Sequence, residues 1–265
     1  MFGGGFVVTK RHISTKSRIR QARIAELVST QSAVTVEGLA ADFEISPETV
    51  RRDLSILADA GRIRKVHGGA RSVQPKEEGP FEDRMNTNTL AKQLIAEKVA
   101  RLVSPGQSLF MDTGSTTLIC AEVLAQIDNL TVITNSCRIA ATFANGSGCA
   151  NVYLLGGMYR ADNAQSVGEI TVEEVSRYNA DFAILTVGTI DTCGAMDFSQ
   201  EEAQVGRAML TAASQAVVVV DSTKFNRKTV FNVCDLSQID ILVVDSPLPD
   251  GAFAEAVAVA EIEVL

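Results

Sequence analysis

The sequence predicts an α/β protein in two parts: an N-terminal winged helix-turn-helix, then a larger α/β domain with a mostly parallel sheet. Three observations carry this. Residues 23–69 hold three short helix patterns and then an alternating apolar–basic run that ends in glycines. From about residue 91, apolar strand patterns alternate with helical ones. Charge is divided unevenly: residues 1–71 carry 12 Lys and Arg against 7 Asp and Glu, and the remainder carries 12 against 25. The acidic total of −8 argues against a nucleic-acid partner, but a basic first part beside an acidic second part restores one.

The first 13 residues are Gly-rich and weakly apolar, and basic residues follow them. That order is wrong for a secretory signal, so residues 1–13 are expected to be a disordered tail or to follow a misplaced start. The winged helix-turn-helix is assigned to residues 14–71. Residues 23–30 read as a helix buried through Ile24, Leu27 and Val28. Thr35 caps a second helix, packed by Val36, Leu39 and Phe43, and Glu44-Ile45 is a tight connection. Ser46 caps the third helix and Pro47 takes its first position, where a missing N–H costs nothing.

Val50, Leu54 and Leu57 bury one face of that helix. Ser46 at its start and Glu48, Thr49, Arg51, Arg52 and Ser55 on its surface are what a major groove admits and reads. Residues 61–69 suit a β-wing whose outward Arg62, Arg64 and Lys65 touch phosphates. The plain alternative is that the arginines form only a solvated helix face. Asp53 would be repelled by DNA, so it is expected to orient an arginine or to cap within the domain. DNA binding by this part should weaken steeply with salt.

Residues 72–85, with Pro75, Gly79, Pro80 and a charge cluster, read as the linker, and residues 86–265 as the second domain. Helices are expected at 91–103, 116–126, 136–144, 166–178 and 200–214. Strands are expected at 108–112, 130–134, 152–155, 182–187, 216–220 and 239–244. Strands that are apolar throughout argue a parallel sheet covered on both faces, and ligands of such sheets bind beyond the carboxyl ends of the strands.

That rule selects Asp112-Thr113-Gly114-Ser115-Thr116-Thr117. Gly114 lets backbone approach an anion, the hydroxyls donate, and the helix start adds free N–H groups. Asp112 would repel bare phosphate but can accept from sugar hydroxyls, so a phosphorylated polyol fits better than inorganic phosphate. An ordinary Ser/Thr-capped turn is the competing reading. Asn135, Gly157 and Gly188 follow other strands, and Lys224 sits where it can neutralise a phosphate, with Arg160 a weaker candidate. No apolar run approaches the roughly 20 residues that span a bilayer. Cys120, Cys137, Cys149, Cys193 and Cys234 match no zinc or redox spacing, so free buried thiols in a reducing cytoplasm are expected, with no metal and no cofactor.

Arg20, Ile24 and Val28, followed after 17 residues by Ser46, Thr49, Val50, Arg51, Arg52, Asp53 and Leu54, resemble the N-terminal signature of the DeoR family of bacterial transcription regulators. The Asp112–Thr117 loop, Thr134-Asn135, Leu155-Gly156-Gly157 and Asp221-Ser222-Thr223-Lys224-Phe225 resemble the sensor domain of that family. The resemblance implies a homo-oligomeric, operator-binding repressor. It implies a sensor related to ribose-5-phosphate isomerase and coenzyme A transferases, released from DNA by a phosphorylated sugar or polyol. Asp112, Gly114, Ser115, Thr116, Thr117, Asn135, Gly157 and Lys224 would line its pocket.

Phe81-Glu82-Asp83-Arg84, Gly168-Glu169, Gly188-Thr189-Ile190-Asp191 and Met196-Asp197-Phe198 echo the branch responding to glycerol 3-phosphate. The chain departs from the pattern at Asn226, near which the family more often has a further glycine beside the lysine. An activator, or an isomerase fused to a DNA module, would share most of these features. An isomerase needs a placed carboxylate base. Where the isomerase relative runs Ala-Asp-Glu after its glycine, this chain has Thr189-Ile190-Asp191, so the acidic pair is not matched.

Overall fold

The computed structural model describes residues 15–31, 33–59, 62–72 and 78–265. The expected tail, Gly61 of the wing and residues 73–77 of the expected linker lie outside the described residues. The chain divides into two units, Met1–Val73 and Gln74–Leu265.

In the first unit the elements are α1 (Thr15–Gln31), β1 (Ala33–Thr35), α2 (Val36–Asp42), α3 (Pro47–Asp59), β2 (Ile63–Val66) and β3 (Gly69–Ser72). The Thr35 hydroxyl accepts from Gly38 N–H and caps α2, and Ser46 Oγ accepts from Thr49 N–H at the start of α3. Ile24, Val28, Val36, Leu39, Val50, Leu54, Leu57 and Ile63 form one core. The wing gains a strand that the sequence pattern does not reveal. β1 pairs antiparallel with β3, so the sheet order is β1-β3-β2. Gly69 permits this, because a Cβ there would lie 2.0 Å from the Val34 carbonyl oxygen.

The second unit begins with α4 (Phe81–Met85) and α5 (Thr89–Leu102). The expected linker is therefore too long: Phe81 is buried in the core, and an apolar side chain with a place to pack is not linker. Then follow β4 (Ser108–Met111), α6 (Ser115–Leu124), β5 (Thr131–Thr134), α7 (Cys137–Ala144), β6 (Asn151–Leu154), β7 (Met158–Arg160), β8 (Gln165–Val167) and α8 (Glu169–Val175). The chain continues through β9 (Ala180–Thr186), β10 (Thr189–Asp191), β11 (Gly194–Asp197), α9 (Gln200–Thr211) and β12 (Ala213–Val220). It ends with β13 (Phe231–Cys234), β14 (Ile241–Val244), α10 (Ala252–Val259) and β15 (Glu263–Val264).

Seven strands form a parallel sheet in the order β15-β14-β12-β9-β4-β5-β6. Successive residues feed opposite faces. Met111, Ile184, Val217 and Val219 pack with α5, α6 and α7, while Phe110, Leu185, Val218 and Val220 pack toward α8, α9 and α10. From β4 the sheet grows through β5 and β6 one way and through β9, β12, β14 and β15 the other. The topological switch therefore lies between β4 and β9.

The expected helix at 166–178 shrinks to Glu169–Val175. Gln165–Val167 is instead a strand paired with β7, and Gly168 turns the chain at φ 95°. β10, β11 and β13 form a small antiparallel sheet whose segments are too short to show a period. Of the five free cysteines, Cys120 and Cys234 are buried as expected, whereas Cys149 and Cys193 are exposed because turns carry them outward. Burial pushes the Cys234 thiol up to about 12. Among the described residues, no helix is long and apolar enough to cross a membrane. Among the same residues, no group of three or more His, Cys, Asp or Glu is placed to hold a metal.

Candidate functional site

Two surfaces gather the candidate residues. On the first unit, α3 exposes Glu48, Arg51 and Arg52, with Thr49 half-buried beside them. Arg51 and Glu48 pair at 3.3 Å, an exposed contact that holds neither side chain firmly. Ser46 serves the helix itself: its hydroxyl caps and lies 2.9 Å from Thr49 Oγ1. Ser55 is also engaged, donating to the Arg51 carbonyl at 2.8 Å and accepting from Lys65 Nζ at 2.9 Å. It therefore ties the wing to α3. Arg62, Arg64 and Lys65 are exposed on or beside β2.

Asp53 faces inward, as its charge requires. It is 2% exposed, and its oxygens accept from Arg20 Nε and Gln21 Nε2, each at 2.7 Å. The arginine it orients thus lies on α1.

On the second unit, the ends of β4 and β9 meet where Asp112 accepts from Thr186 N–H at 3.1 and 3.2 Å. Much of its hydrogen-bonding capacity is used inside the fold. Burial raises its carboxyl well above the ordinary range, the Thr186 N–H opposes this, and Asp197 adds to it. Burial beside Glu202 takes Asp197 to about 7. Glu202 is itself raised by burial, with Gln165 and Asn163 opposing through hydrogen bonds. Asp112, Asn135, Asp197 and Glu202 surround a small recess of about 20 Å³. Asn135 is held by Ser166 O at 2.9 Å and accepts from Thr113 Oγ1 at 3.3 Å.

A second, larger cavity of about 230 Å³ opens beside it, lined by Ser115, Thr116, Thr186, Lys224, Lys92 and Arg84 among others. Gly114 starts α6 without a side-chain cap, and a Cβ there would lie 2.0 Å from Thr186 Cγ2. The close approach needs glycine. The first-turn N–H groups of α6 are therefore available to an anion.

The predicted set is thus divided between two neighbouring recesses. Three of its members line neither, Gly114 being the close approach to Thr186 just described. Thr117 is fully buried, its hydroxyl turned to the carbonyls of Asp112 and Gly114. Gly157, at φ 140°, packs against α8, where a Cβ would lie 2.0 Å from Thr171 Oγ1. Both are structural. Arg160 pairs with Glu201 and Asp162 on an outer recess.

Lys92 and Arg84 were not in the predicted set. Lys92 is 4% exposed and donates to Ser115 Oγ at 3.0 Å and to the Arg84 carbonyl. Burial lowers its pKa, while Asp221 opposes. A signal existed: Lys92, Ile95, Ala96 and Val99 share one helix face, so a lysine lies on the buried stripe of α5. A wide recess of about 860 Å³ between α8 and α9 is lined by Tyr178, Asn179 and Ala212 at the opposite, amino ends of β9 and β12.

A winged helix-turn-helix followed by an α/β domain with a cation-lined strand-end cavity defines the class of DNA-binding regulators that carry their own ligand-binding domain. Residues 20–76 match the DeoR-like helix-turn-helix domain, and residues 87–246 match the DeoR C terminal sensor domain. The chain belongs to the DeoR family of transcription regulators. It is 35% identical over 237 residues to the glycerol-3-phosphate regulon repressor of Haemophilus influenzae, covering 89% of this chain and 92% of that one. It is 34% identical over 235 residues to the protein of the same name from Escherichia coli, with 88% and 93% covered. The transcriptional repressor AccR of Agrobacterium fabrum is 34% identical over 230 residues, covering 86% and 89%. Ribose 5-phosphate isomerase A of Methanocaldococcus jannaschii is similar at a TM-score of 0.40 and 17% identity, over 54% of this chain and 56% of that one. That likeness is too loose to carry chemistry.

Proposed function

We propose that this protein is a transcriptional repressor that a phosphorylated sugar or polyol releases from its operator, with glycerol 3-phosphate the first candidate. The observation that carries the reading is near full-length similarity to two glycerol-3-phosphate regulon repressors. The small unit offers Arg51, Arg52, Arg62, Arg64 and Lys65 on one helix-and-wing module, the groups that read base edges and hold phosphates. Two or more chains would present paired α3 helices to repeated half-sites in the cytoplasm.

The effector would place its phosphate among Lys92, Lys224 and the α6 N-terminus, and its hydroxyls toward Asp112 and Asn135. A cavity of about 230 Å³ suits a small ligand, below the roughly 300–1,000 Å³ of drug-sized sites. Regulation rather than catalysis fits Asp191, the nearest acidic residue to the isomerase pattern. It is 4% exposed and occupied by Cys193 N–H at 2.7 Å and Lys228 at 3.5 Å, so it is no free base.

The test is operator binding by the full chain with glycerol 3-phosphate, fructose 1-phosphate and their unphosphorylated parents. Release by glycerol 3-phosphate alone is expected, and Lys224→Ala should hold DNA without responding. Release by another sugar phosphate would reassign the effector, and normal release of Lys224→Ala would move the pocket.

A further inference from the structure

The strand-end cavity already holds an anion, and it is the chain's own. Glu78 Oε1 lies 2.7 Å from Lys224 Nζ, and its other oxygen lies 2.5 Å from Arg84 Nη1. All three side chains are largely buried, between 15% and 22% exposed. Burial disfavours the ionised carboxylate, but Lys224 and Arg84 outweigh it and hold the pKa below its ordinary value. Lys92 lines the same cavity, as do Ser115 and Thr116 at the uncapped start of α6. Three cations and a helix N-terminus around one carboxylate make a site better matched to a phosphate, which brings more charge and a third oxygen.

Glu78 also occupies a telling place in the chain. It lies six residues beyond Ser72, the last residue of β3, and three before Phe81. Glu78 and Gly79 wall both the 230 Å³ cavity and a wider recess of about 630 Å³ lined by Arg138, Phe198 and Ser199. The next anchor is Phe81, 4% exposed, with Arg138 stacked 4.5 Å from its ring centre. Arg84 does not depend on Glu78 for its position. It donates to Asn163 Oδ1 at 2.7 Å and lies 5.2 Å from the Phe81 ring.

We propose that Glu78 is an internal counter-anion standing in the effector's phosphate position, and that the effector displaces it and frees residues 78–80 from the sensor domain. This rests on the effector site proposed above. Displacement leaves Arg84 and Lys224 in place for the phosphate. It leaves Phe81 as the next anchor of that segment. Residues 78–80, about 10 Å of chain when extended, are then released from the cavity wall. The contact that senses the ligand thereby sits on the segment that follows the wing, six residues after β3.

The test is Glu78→Gln in the full chain, with glycerol 3-phosphate and inorganic phosphate as titrants in calorimetry and hydrogen exchange followed over residues 78–81. Glutamine keeps the shape and removes the competing charge. The variant is expected to bind glycerol 3-phosphate roughly tenfold or more tightly, because less of it is held in the occupied form. In the wild type, glycerol 3-phosphate should speed exchange over residues 78–81, and in the variant exchange should already be fast without it. Equal or weaker binding by Glu78→Gln, or wild-type exchange that slows on binding, would overturn displacement while leaving the pocket standing. Failure of both probes to bind either protein would remove the pocket and the displacement together.

Discussion

Asp53→Ala should weaken operator binding by loosening the small unit, although Asp53 touches no DNA in the proposed arrangement. The carboxylate is 2% exposed and accepts from Arg20 and Gln21, each at 2.7 Å. A hydrogen bond to a charged partner contributes about 1.5–3 kcal/mol. Arg20 is 24% exposed and can turn to water when its partner goes, which discounts the ion pair. Gln21 is 7% exposed and keeps a 3.1 Å bond to Ser17 Oγ, so its own loss is also partial.

Together these give a loss of about 2 kcal/mol, or roughly 30-fold in the open fraction. Small domains have only about 0.05–0.15 kcal/mol per residue to lose. Fluorescence would miss the change. The chain has no Trp, and Tyr153, Tyr159 and Tyr178 all lie in the larger unit. Hydrogen exchange of α3 amides in the full chain reads it directly. Protection of Val50, Leu54 and Leu57 should fall about 30-fold, while β4 and β9 stay unchanged. Lost operator binding with α3 protection intact would refute the reasoning and put Asp53 at the DNA.

Three further outcomes are expected. Arg51→Ala should weaken operator binding by about 1–3 kcal/mol with α3 protection unchanged, since its pair with Glu48 is exposed; unchanged affinity in a mobility-shift titration would remove it from the reading set. Gly69→Ala should destabilise the wing by about 1–3 kcal/mol, because its Cβ would meet Val34 backbone at 2.0 Å, and exchange over β1 and β3 measures it. The larger unit should lose stability as pH rises through about 7, where Asp197 ionises. The folded pKa lies above the unfolded one, so this contribution is complete below the ordinary carboxylate range and lost as Asp197 titrates. Asp197→Asn should flatten that slope in pH-dependent thermal unfolding, and an unaltered slope would exclude it as the source.

The fold was legible wherever one segment carried its own signal. Ser46 and Pro47 announce α3, and the unbroken apolar runs at Val217–Val220 and Ile241–Val244 announce strands buried on both faces. The inward role of Asp53 was legible from electrostatics alone, because a carboxylate cannot profit from facing phosphates. Short antiparallel pieces such as β1, β7 and β10 were hidden, since three residues show no period and their partners lie elsewhere in the chain.

The site divides along the same line. Asp112, Ser115 and Lys224 stand at strand or helix ends, so topology points to them. Thr117 and Gly157 stand beside such ends but turn inward, which only packing decides. Glu78 and Arg84 belong to a stretch that composition marks as linker, where a charge is ordinarily solvated and contributes little. Here burial against Phe81 and Lys92 removes the water, and two ordinary surface charges become the strongest electrostatic feature of the cavity. Charge in a linker therefore carries information only once the apolar residue beside it has a place to pack, and Phe81 is that residue.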